Sequence, residues 1–415
     1  MIQIITQNPL PLTKFIYSFR HFFSKPLFLS FSLYFAGLFI ENKRTNISSI
    51  FNKIPYASYQ NLQYFISESK WNPELLNSFR LSILDHNPAT KSSKNGILSI
   101  DDTGCKKWGQ HFQSVAIQHY PTEDIITNCN IVVFSAYCDT KKSYPINLKP
   151  YIPKNDPLIS SYETSFKSKI ELATELVEDT ISKGISFSYV VFDNWYFSND
   201  FVTDLNNKKI HWISEAEISR LISYRGKWTR ADNLVKVIPC TKFNRKVTLT
   251  NSKGKKRSFL VYGFKTKIHD LEGEYFVVVA ICKWDPKNPK KVHVFVTNHL
   301  TLSPENVVEY YNLRWKIECI FRDLKDHLAF DHYQIRSIKA ITRHWHLCVL
   351  AYTFLLQSKV TGSLQHHVKK RISNIGDALR ALRALNSLTS LEWIIKHTDE
   401  YKEHLGITPR FEFVA

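Results

Sequence analysis

Apolar residues recur at helical spacing along residues 310–328, a stretch without Gly or Pro. At about 100° per residue these apolar side chains cluster on one side of a helix. They are Leu313, Ile317, Ile320, Leu324 and Leu328. Upstream, Ser303 is a suitable N-cap and Pro304 a suitable first helical residue. The pattern predicts one helix, which begins at Ser303-Pro304 and packs its apolar side into a core. We refer to it as the pivotal helix.

A polar stripe lies beside the apolar one on this helix, about 120° away. It consists of Tyr311, Arg314, Glu318, Arg322 and Lys325. An ordinary explanation is a solvated face with Arg314–Glu318 pairing at i,i+4, which contributes little to stability. A chemical role for Glu318 requires acidic partners from elsewhere in the chain.

Two runs with strand character end in such acidic residues. Residues 96–103 form a short β-type run that ends in Asp101 and Asp102. Residues 187–193 form a strand typical of a buried position, and it ends in Asp193. The commonest role of a strand-end Asp is that of a turn residue or N-cap, so each of these residues by itself indicates little.

The segments around these runs complete an α/β pattern. Residues 104–113 predict a turn, residues 115–120 and 130–137 predict strands, and residues 165–182 predict a helix. Strands followed by a helix and a further strand are typical of an α/β domain with a mixed sheet.

Composition divides the chain into five predicted segments. They are a helical domain at 1–90, a first α/β part at 91–224, a β-rich insertion at 225–299, a second α/β part with the Glu318 helix at 300–358, and a helical C-terminal region at 359–415. Within the first segment, the apolar run 26–40 is shorter than the ~20 residues that cross a bilayer. It therefore predicts a buried helix.

Charge limits the choice of partner. The 415 residues include 55 Lys and Arg against 37 Asp and Glu, a formal net charge of +18. Such an excess indicates a polyanion: DNA, RNA or an anionic membrane. The short basic helices of residues 1–90 are compatible with a helix-turn-helix-like DNA module and equally with a helical cap that binds nothing.

Cysteines and histidines indicate no zinc site. The seven cysteines are scattered and form no CxxC, which predicts reduced, buried thiols in a cytosolic protein. The histidine pairs His344/His346 and His366/His367 lack further ligands, and we expect them at the surface or facing DNA.

The three acidic positions together suggest metal-dependent phosphodiester chemistry. Hard divalent cations prefer carboxylate oxygens, and two such ions about 3.5–4 Å apart can activate an attacking oxygen and stabilise a leaving one. Carboxylates at two strand ends and on one helix can meet if the strands are neighbours and the helix packs across the sheet.

The arrangement resembles the DDE transposases of bacterial insertion sequences. The spacing Tyr-x2-Arg-x3-Glu-x6-Lys is similar to their YREK signature, and Ile100-Asp-Asp-Thr-Gly104 is similar to their first acidic motif. The resemblance implies an RNase H-like catalytic domain interrupted by the β-rich insertion, with residues 1–90 binding DNA. It also implies catalytic, metal-binding residues Asp102, Asp193 and Glu318, with Asp101 as the alternative to Asp102.

Cofactor and partners follow from the same resemblance. It implies two Mg²⁺ ions, which Mn²⁺ can replace, and double-stranded DNA at the terminal inverted repeats and the target. It further implies a homodimer on DNA in the bacterial cytoplasm, associated with the nucleoid and not with a membrane. The implied DNA contacts are Tyr311, Arg314, Trp315, Arg322 and Lys325 on the pivotal helix, and Lys255, Lys256 and Arg257 at a basic hairpin tip. Some relatives hold a flipped base with a Trp of the insertion; Trp228 and Trp284 are the candidates.

Two other functions stay open on the sequence. One is an RNase H-like DNA endonuclease that cuts without strand transfer, and the other is a repurposed DNA-binding protein without catalysis. A membrane-surface protein is a more distant alternative.

Overall fold

The computed structural model describes residues 7–40, 46–54, 57–109, 111–120, 125–161, 165–250, 254–282 and 292–399. Trp284 lies outside these described residues. The chain divides into two compact units. The helical unit comprises Met1–Lys91, Gly104–Asn130 and Phe321–Ala415, and the sheet unit comprises Ser92–Thr103 and Ile131–Ile320.

The α-helices are α1 Leu10–Ser18, α2 Lys25–Gly37, α3 Ile47–Phe51, α4 Tyr59–Ser67, α5 Pro73–His86, α6 Pro157–Ser160, α7 Lys169–Ser182, α8 Asn199–Asn207, α9 Leu234–Val237, α10 Pro304–Leu313, α11 Trp315–Leu328, α12 Ile338–Thr361 and α13 Ile375–Lys396. The strands are β1 Ile97–Lys106, β2 Val115–Tyr120, β3 Ile125–Cys138, β4 Ser143–Tyr151, β5 Tyr189–Phe192, β6 Trp212–Glu215, β7 Leu221–Tyr224, β8 Lys227–Arg230, β9 Arg245–Thr250, β10 Lys256–Thr266, β11 Tyr275–Ile281 and β12 Val292–Thr297.

Aromatic residues form much of the core of the helical unit. Helix α2 buries Phe31, Tyr34 and Phe35, which confirms the predicted buried helix in the apolar run 26–40. Phe65 stacks on Trp71, and Phe23 packs against both rings. Among the described helices, none is long and apolar enough to cross a membrane.

Helix α12 is buried along most of its length, and its His344 is hydrogen-bonded inside the unit. His344 contacts the Tyr34 hydroxyl through Nδ1 at 2.9 Å and the Ala329 carbonyl through Nε2 at 3.0 Å. His344 and His346 are 1% and 3% exposed, so the prediction of a surface position for this pair is wrong. The other pair, His366 and His367, is exposed as predicted.

The sheet unit is built on the strand order β4-β3-β1-β5-β6-β12-β11-β10-β9, in which β3 contributes its C-terminal half. Strand β5 runs parallel to β1 and to β6, and β12 runs antiparallel to β6. The mixed α/β class predicted from the sequence is confirmed. In the segment predicted as a β-rich insertion, strands β9 to β12 continue this same sheet, because Thr297 of β12 pairs with Ile213 of β6, whereas β8 pairs with β7 in a separate sheet.

Strand β1 extends three residues beyond Thr103, so the predicted turn at Gly104 is wrong. Gly104 lies close to Cys129, since a Cβ at this glycine would stand 3.4 Å from Cys129 Sγ. Directly after the strand, Lys107 N–H donates to the Asn128 carbonyl at 2.8 Å. Neighbouring chain from residues 125–130 thus supplies hydrogen bonds that keep this stretch extended.

The pivotal helix is divided at Arg314 into α10 and α11, whereas the sequence predicts one helix. Ser303 caps α10 as expected, by accepting from Asn306 N–H at 3.2 Å. Arg314 N–H bonds to the Tyr311 carbonyl and Ile317 N–H to the Arg314 carbonyl, which is the tighter three-residue spacing. No Gly or Pro marks this change of winding in the sequence.

The described part of the C-terminal region, predicted as helical, contains the long helix α13. Before α13 the chain forms a short 3₁₀ turn, Gln365–His367, followed by irregular chain. The Gln365 side chain binds this segment through Ile372 N–H and the carbonyls of Val368 and Lys370. These side-chain bonds take the place of helical ones.

The seven cysteines are all free thiols, in agreement with the prediction of reduced cysteines. Burial agrees only in part, because Cys240 is exposed and Cys282 and Cys319 are half-buried.

Candidate active site

Strand register brings acidic residues to one edge of the sheet unit. Ser99 of β1 pairs with Val191 of β5 in parallel, so two residues further along Asp101 is level with Asp193. Alternation along β1 turns Asp102 to the opposite face. The register therefore places Asp101 level with Asp193 at the same edge of the sheet.

Asp101 is buried, with 7% of its surface exposed. Its Oδ2 accepts from Arg314 Nη1 at 2.6 Å, and its Oδ1 accepts from Asp102 N–H at 2.9 Å. Burial raises the pKa of Asp101 well above its usual value, Arg314 lowers it, and the charges of Asp193 and Glu318 raise it further. The three carboxylates are thus close enough to repel one another.

Asp193 follows β5 and caps the short 3₁₀ turn Asn194–Tyr196. Its Oδ1 accepts from the N–H groups of Trp195 at 3.1 Å and Tyr196 at 3.3 Å. Burial raises the pKa of Asp193 and the charge of Asp102 adds to the rise, whereas Arg314 and these N–H groups oppose it. Asp193 therefore has the capping role expected of a strand-end Asp. Its second carboxylate oxygen, Oδ2, takes part in neither of these two bonds.

Arg314 lies among the carboxylates at the junction of α10 and α11. Its Nη1 is 2.6 Å from Asp101 and 3.8 Å from Glu318, whose side chain is 39% exposed in the first turn of α11. Burial lowers the pKa of Arg314, but the charges of Asp101, Tyr311, Asp193 and Glu318 outweigh it and the pKa is raised. A permanent positive charge therefore stands at the centre of the acidic group.

Tyr311 belongs to the same site through an acidic residue that the sequence analysis missed. Its hydroxyl donates to Glu215 Oε2 at 3.3 Å, and Glu215 Oε1 contacts His293 Nδ1 at 2.7 Å. Burial raises the pKa of Tyr311, and the Glu215 charge adds to the rise. Glu215 ends strand β6, so the strand-end signal that marks Asp193 marks this residue as well.

Asp102 has different partners. Its Oδ2 accepts from Lys169 Nζ at 2.8 Å, and its Oδ1 accepts from the Tyr196 hydroxyl at 2.8 Å. The side chains of Asp102 and Lys169 are 17% and 9% exposed. Sequence reasoning also missed Lys169 and Tyr196, and no spacing or pattern in the chain links them to Asp102.

The remaining predicted site residues are distributed over both units. Trp315 is 63% exposed at the start of α11, and Lys255, Lys256 and Arg257 are exposed near the start of β10. Arg257 Nε donates to Cys282 Sγ at 2.8 Å. In the helical unit, Arg322 is exposed, and Lys325 Nζ donates to the Gly104 carbonyl at 2.7 Å.

The donor set suits a hard divalent cation. Asp101, Asp193 and Glu318 offer carboxylate oxygens, the ligands that Mg²⁺ and Mn²⁺ prefer. Burial is the largest cause of the raised pKa of Asp101, and the charges of Asp193 and Glu318 add to it; a bound cation would relieve this repulsion. Across the described part of the chain, no three acidic, histidine or cysteine side chains are close enough to hold an ion in the present geometry. At this site Arg314 lies between Asp101 and Glu318.

Comparison with known proteins identifies the class. The family described as "Transposase DDE domain" matches residues 167–354, and the "DDE superfamily endonuclease" family matches residues 28–222. The chain belongs to the DDE-type insertion-sequence transposases. The first match includes Asp193, Arg314 and Glu318, and the second includes Asp101 and Asp193.

A curated relative supports the same class. The present chain is similar to the "Probable transposase for insertion sequence element IS701" of Microchaete diplosiphon, with 20% identity over 331 residues. The match covers 78% of the present chain and 81% of the relative. The family predicted from the acidic and YREK-like motifs is confirmed, as is an α/β fold consistent with an RNase H-like DDE domain.

Proposed function

We propose that this transposase cleaves DNA at the ends of its insertion sequence and joins the freed 3′ ends to target DNA. The observation that carries the proposal is the meeting of Asp101, Asp193 and Glu318 around Arg314, from two parallel strands and one helix. Substrates would be the terminal inverted repeats and a target duplex, and holding two ends together would call for a homodimer on DNA.

Asp101 is the first acidic residue of the site in this proposal, in place of Asp102. Support comes from the register that levels Asp101 with Asp193 and from the electrostatic coupling of Asp101 to Asp193 and Glu318. Asp102 has both carboxylate oxygens bonded to Lys169 and Tyr196, so it has little capacity left for a cation.

Divalent metal completes the site. Two Mg²⁺ or Mn²⁺ ions held by the three carboxylates would activate the attacking oxygen and stabilise the leaving one. The two N–H groups that hold Asp193 fix one of its oxygens and leave the other available. Arg314, which keeps its charge, can meet a phosphate oxygen once Asp101 and Glu318 bind cations.

DNA contacts are proposed for exposed residues near the site and on the hairpin. Trp315 offers an aromatic surface on α11, and Lys255, Lys256 and Arg257 offer positive charge. Arg322 and Lys325 are proposed phosphate contacts of the helical unit. The Tyr311 hydroxyl donates to Glu215, so we propose that it helps to position the residues of the site. The proposed DNA contact of Tyr311 is then through the edge of its ring.

The test is cleavage of labelled DNA that carries the ends of the element, with Mg²⁺, by the wild type and by Glu318→Ala. Loss of cutting at the end in the variant, with end binding retained, is the expected result. Glu309→Ala is the matched control, because Glu309 is an exposed glutamate on α10 outside the acidic group. End cutting that survives in Glu318→Ala would overturn the assignment.

Product analysis separates the alternatives. Pre-cut ends incubated with target duplex should give joined products; cutting without joining would favour an endonuclease. Specific binding to the ends without cutting by the wild type would favour a DNA-binding protein that has lost catalysis.

A further inference from the structure

Asp102 and Lys169 form a nearly buried ion pair beside the acidic site. Their Nζ–Oδ2 distance is 2.8 Å, and the Lys169 and Asp102 side chains are 9% and 17% exposed. Burial of a pair this polar is costly, and such a pair is often replaceable by apolar residues without loss of stability. Its position is therefore better explained by what the pair holds than by a contribution to folding.

The pair contacts both residues of the turn that binds Asp193. The Tyr196 hydroxyl donates to Asp102 Oδ1 at 2.8 Å, and Lys169 Nζ lies 4.9 Å from the centre of the Trp195 ring. Trp195 and Tyr196 are also the two residues whose backbone N–H groups donate to Asp193 Oδ1. Each N–H donor to Asp193 thus has its own side chain in contact with the ion pair.

We propose that Asp102 and Lys169 are positioning residues that fix the Asn194–Tyr196 turn and thereby orient the Asp193 carboxylate toward the divalent cation. This inference rests on the proposed function. Asp102 contacts neither the cation nor the DNA. Its effect reaches the site through Tyr196, which joins Asp102 at its hydroxyl and Asp193 at its N–H.

Tyr196→Phe tests this link with the smallest change, because it removes only the hydroxyl that Asp102 holds. We expect the dissociation constant for Mn²⁺, measured by electron paramagnetic resonance of the free ion, to rise about tenfold, the usual effect of losing an outer-shell partner. The Mg²⁺ concentration for half-maximal end cleavage should rise by the same factor. The rate at saturating Mg²⁺ should stay near that of the wild type.

Tyr189→Phe is the matched control. It removes a hydroxyl from β5 that contacts His299 Nδ1 at 2.7 Å, a bond of the same kind that does not touch the Asp193 turn. Metal affinity and Mg²⁺ dependence should be unchanged in this variant. An equal weakening in Tyr189→Phe would mean that general loosening of the strand is responsible, and it would overturn the inference.

Lys169 gives a second test that does not depend on how Tyr196→Phe folds. Lys169→Met removes the ion pair and should weaken Mn²⁺ binding, whereas Lys169→Arg keeps the positive charge beside Asp102 and should restore most of the affinity. Combining Lys169→Met with Tyr196→Phe should weaken binding by less than the product of the two single effects, because both act on one turn.

The outcomes distinguish this inference from the proposed function. Wild-type Mn²⁺ affinity and Mg²⁺ dependence in folded Tyr196→Phe and Lys169→Met would overturn the positioning role alone. A wild-type chain that neither binds Mn²⁺ nor cuts the element ends would overturn the proposed function, and the positioning role would fall with it.

Discussion

At the scale of single residues, two adjacent aspartates have separate environments because a strand turns consecutive side chains to opposite faces. Asp101 meets Arg314, and Asp102 meets Lys169 and Tyr196. The sequence motif contains both residues and cannot distinguish them. The register between β1 and β5 and the contact with Arg314 favour Asp101 as the partner of Asp193 in our proposal.

Asparagine substitution at each position should separate the two roles. Asp101→Asn should show no end cleavage at any Mg²⁺ concentration, because it removes a charge from the site itself. Asp102→Asn should retain cleavage when Mg²⁺ is raised roughly tenfold, as expected for a supporting residue. Cleavage rates measured across an Mg²⁺ titration check this, and an inactive Asp102→Asn beside an active Asp101→Asn would restore the motif-based assignment.

The buried His344 should make the free energy of unfolding decrease in acid. Burial lowers the pKa of His344 to about 4, against about 6.5 in an unfolded chain. The unfolded chain therefore gains a proton first as pH falls. His344 leaves the free energy of unfolding undiminished above about pH 6.5 and lowers it progressively toward pH 4. Between pH 7 and pH 5 we expect a loss of about 2 kcal/mol in the free energy of unfolding from this residue.

Denaturant unfolding at both pH values checks the prediction. His344→Gln should lose less stability between pH 7 and pH 5 than the wild type does, whatever its absolute stability. His366→Gln, at an exposed position, should keep the wild-type pH dependence. Identical pH dependence in the wild type and His344→Gln would refute the assignment.

At the scale of elements, the long apolar helix α12 also contains a buried cation that joins it to the N-terminal helices. Arg343 is 3% exposed and donates to the carbonyls of Ile66, Ser69 and Trp71 at 3.1, 2.6 and 2.9 Å. Carbonyls at the end of a helix lack intrahelical partners, and Arg343 supplies donors to those at and after the end of α4.

Arg343→Met should destabilise the protein by about 3 kcal/mol, because three buried carbonyls lose a charged donor. Lys339→Met is the control, since Lys339 is exposed on the same helix and its replacement should change little. Thermal or urea unfolding measures the difference. Equal stability of the two variants would show that water replaces the Arg343 bonds.

At the scale of the whole molecule, the net charge of +18 makes binding to DNA depend steeply on salt. The chain offers two copies of the same basic tripeptide for a matched comparison. Lys255-Lys256-Arg257 is the proposed DNA contact, and Lys369-Lys370-Arg371 is an exposed Lys-Lys-Arg segment before α13.

Replacing the first tripeptide by three glutamines should reduce the slope of log affinity against log salt by up to about 0.9 for each phosphate that the protein no longer neutralises. The same replacement at 369–371 should leave the slope nearer that of the wild type. Affinity for element-end DNA at several salt concentrations tests this. Equal slopes for both variants would indicate that only the total charge matters.

Local pattern by itself determined the class of fold and pointed to the acidic residues of the proposed site. Runs of apolar residues marked the buried α2 and the strand β5, and strand-end position together with motif spacing singled out Asp193 and Glu318 as candidates. These features depend on residues a few positions apart, which the sequence displays directly.

Tertiary structure decided what depends on residues far apart in the chain. The choice of Asp101 over Asp102 in our proposal, the grouping of Glu215 with Tyr311, and the burial of His344 each require knowing which elements are neighbours. The division of the pivotal helix at Arg314 is similar, since Arg314 pairs with an aspartate more than two hundred residues earlier. Pairing of strands and burial of charge are set by the packed core, which no short stretch of sequence specifies.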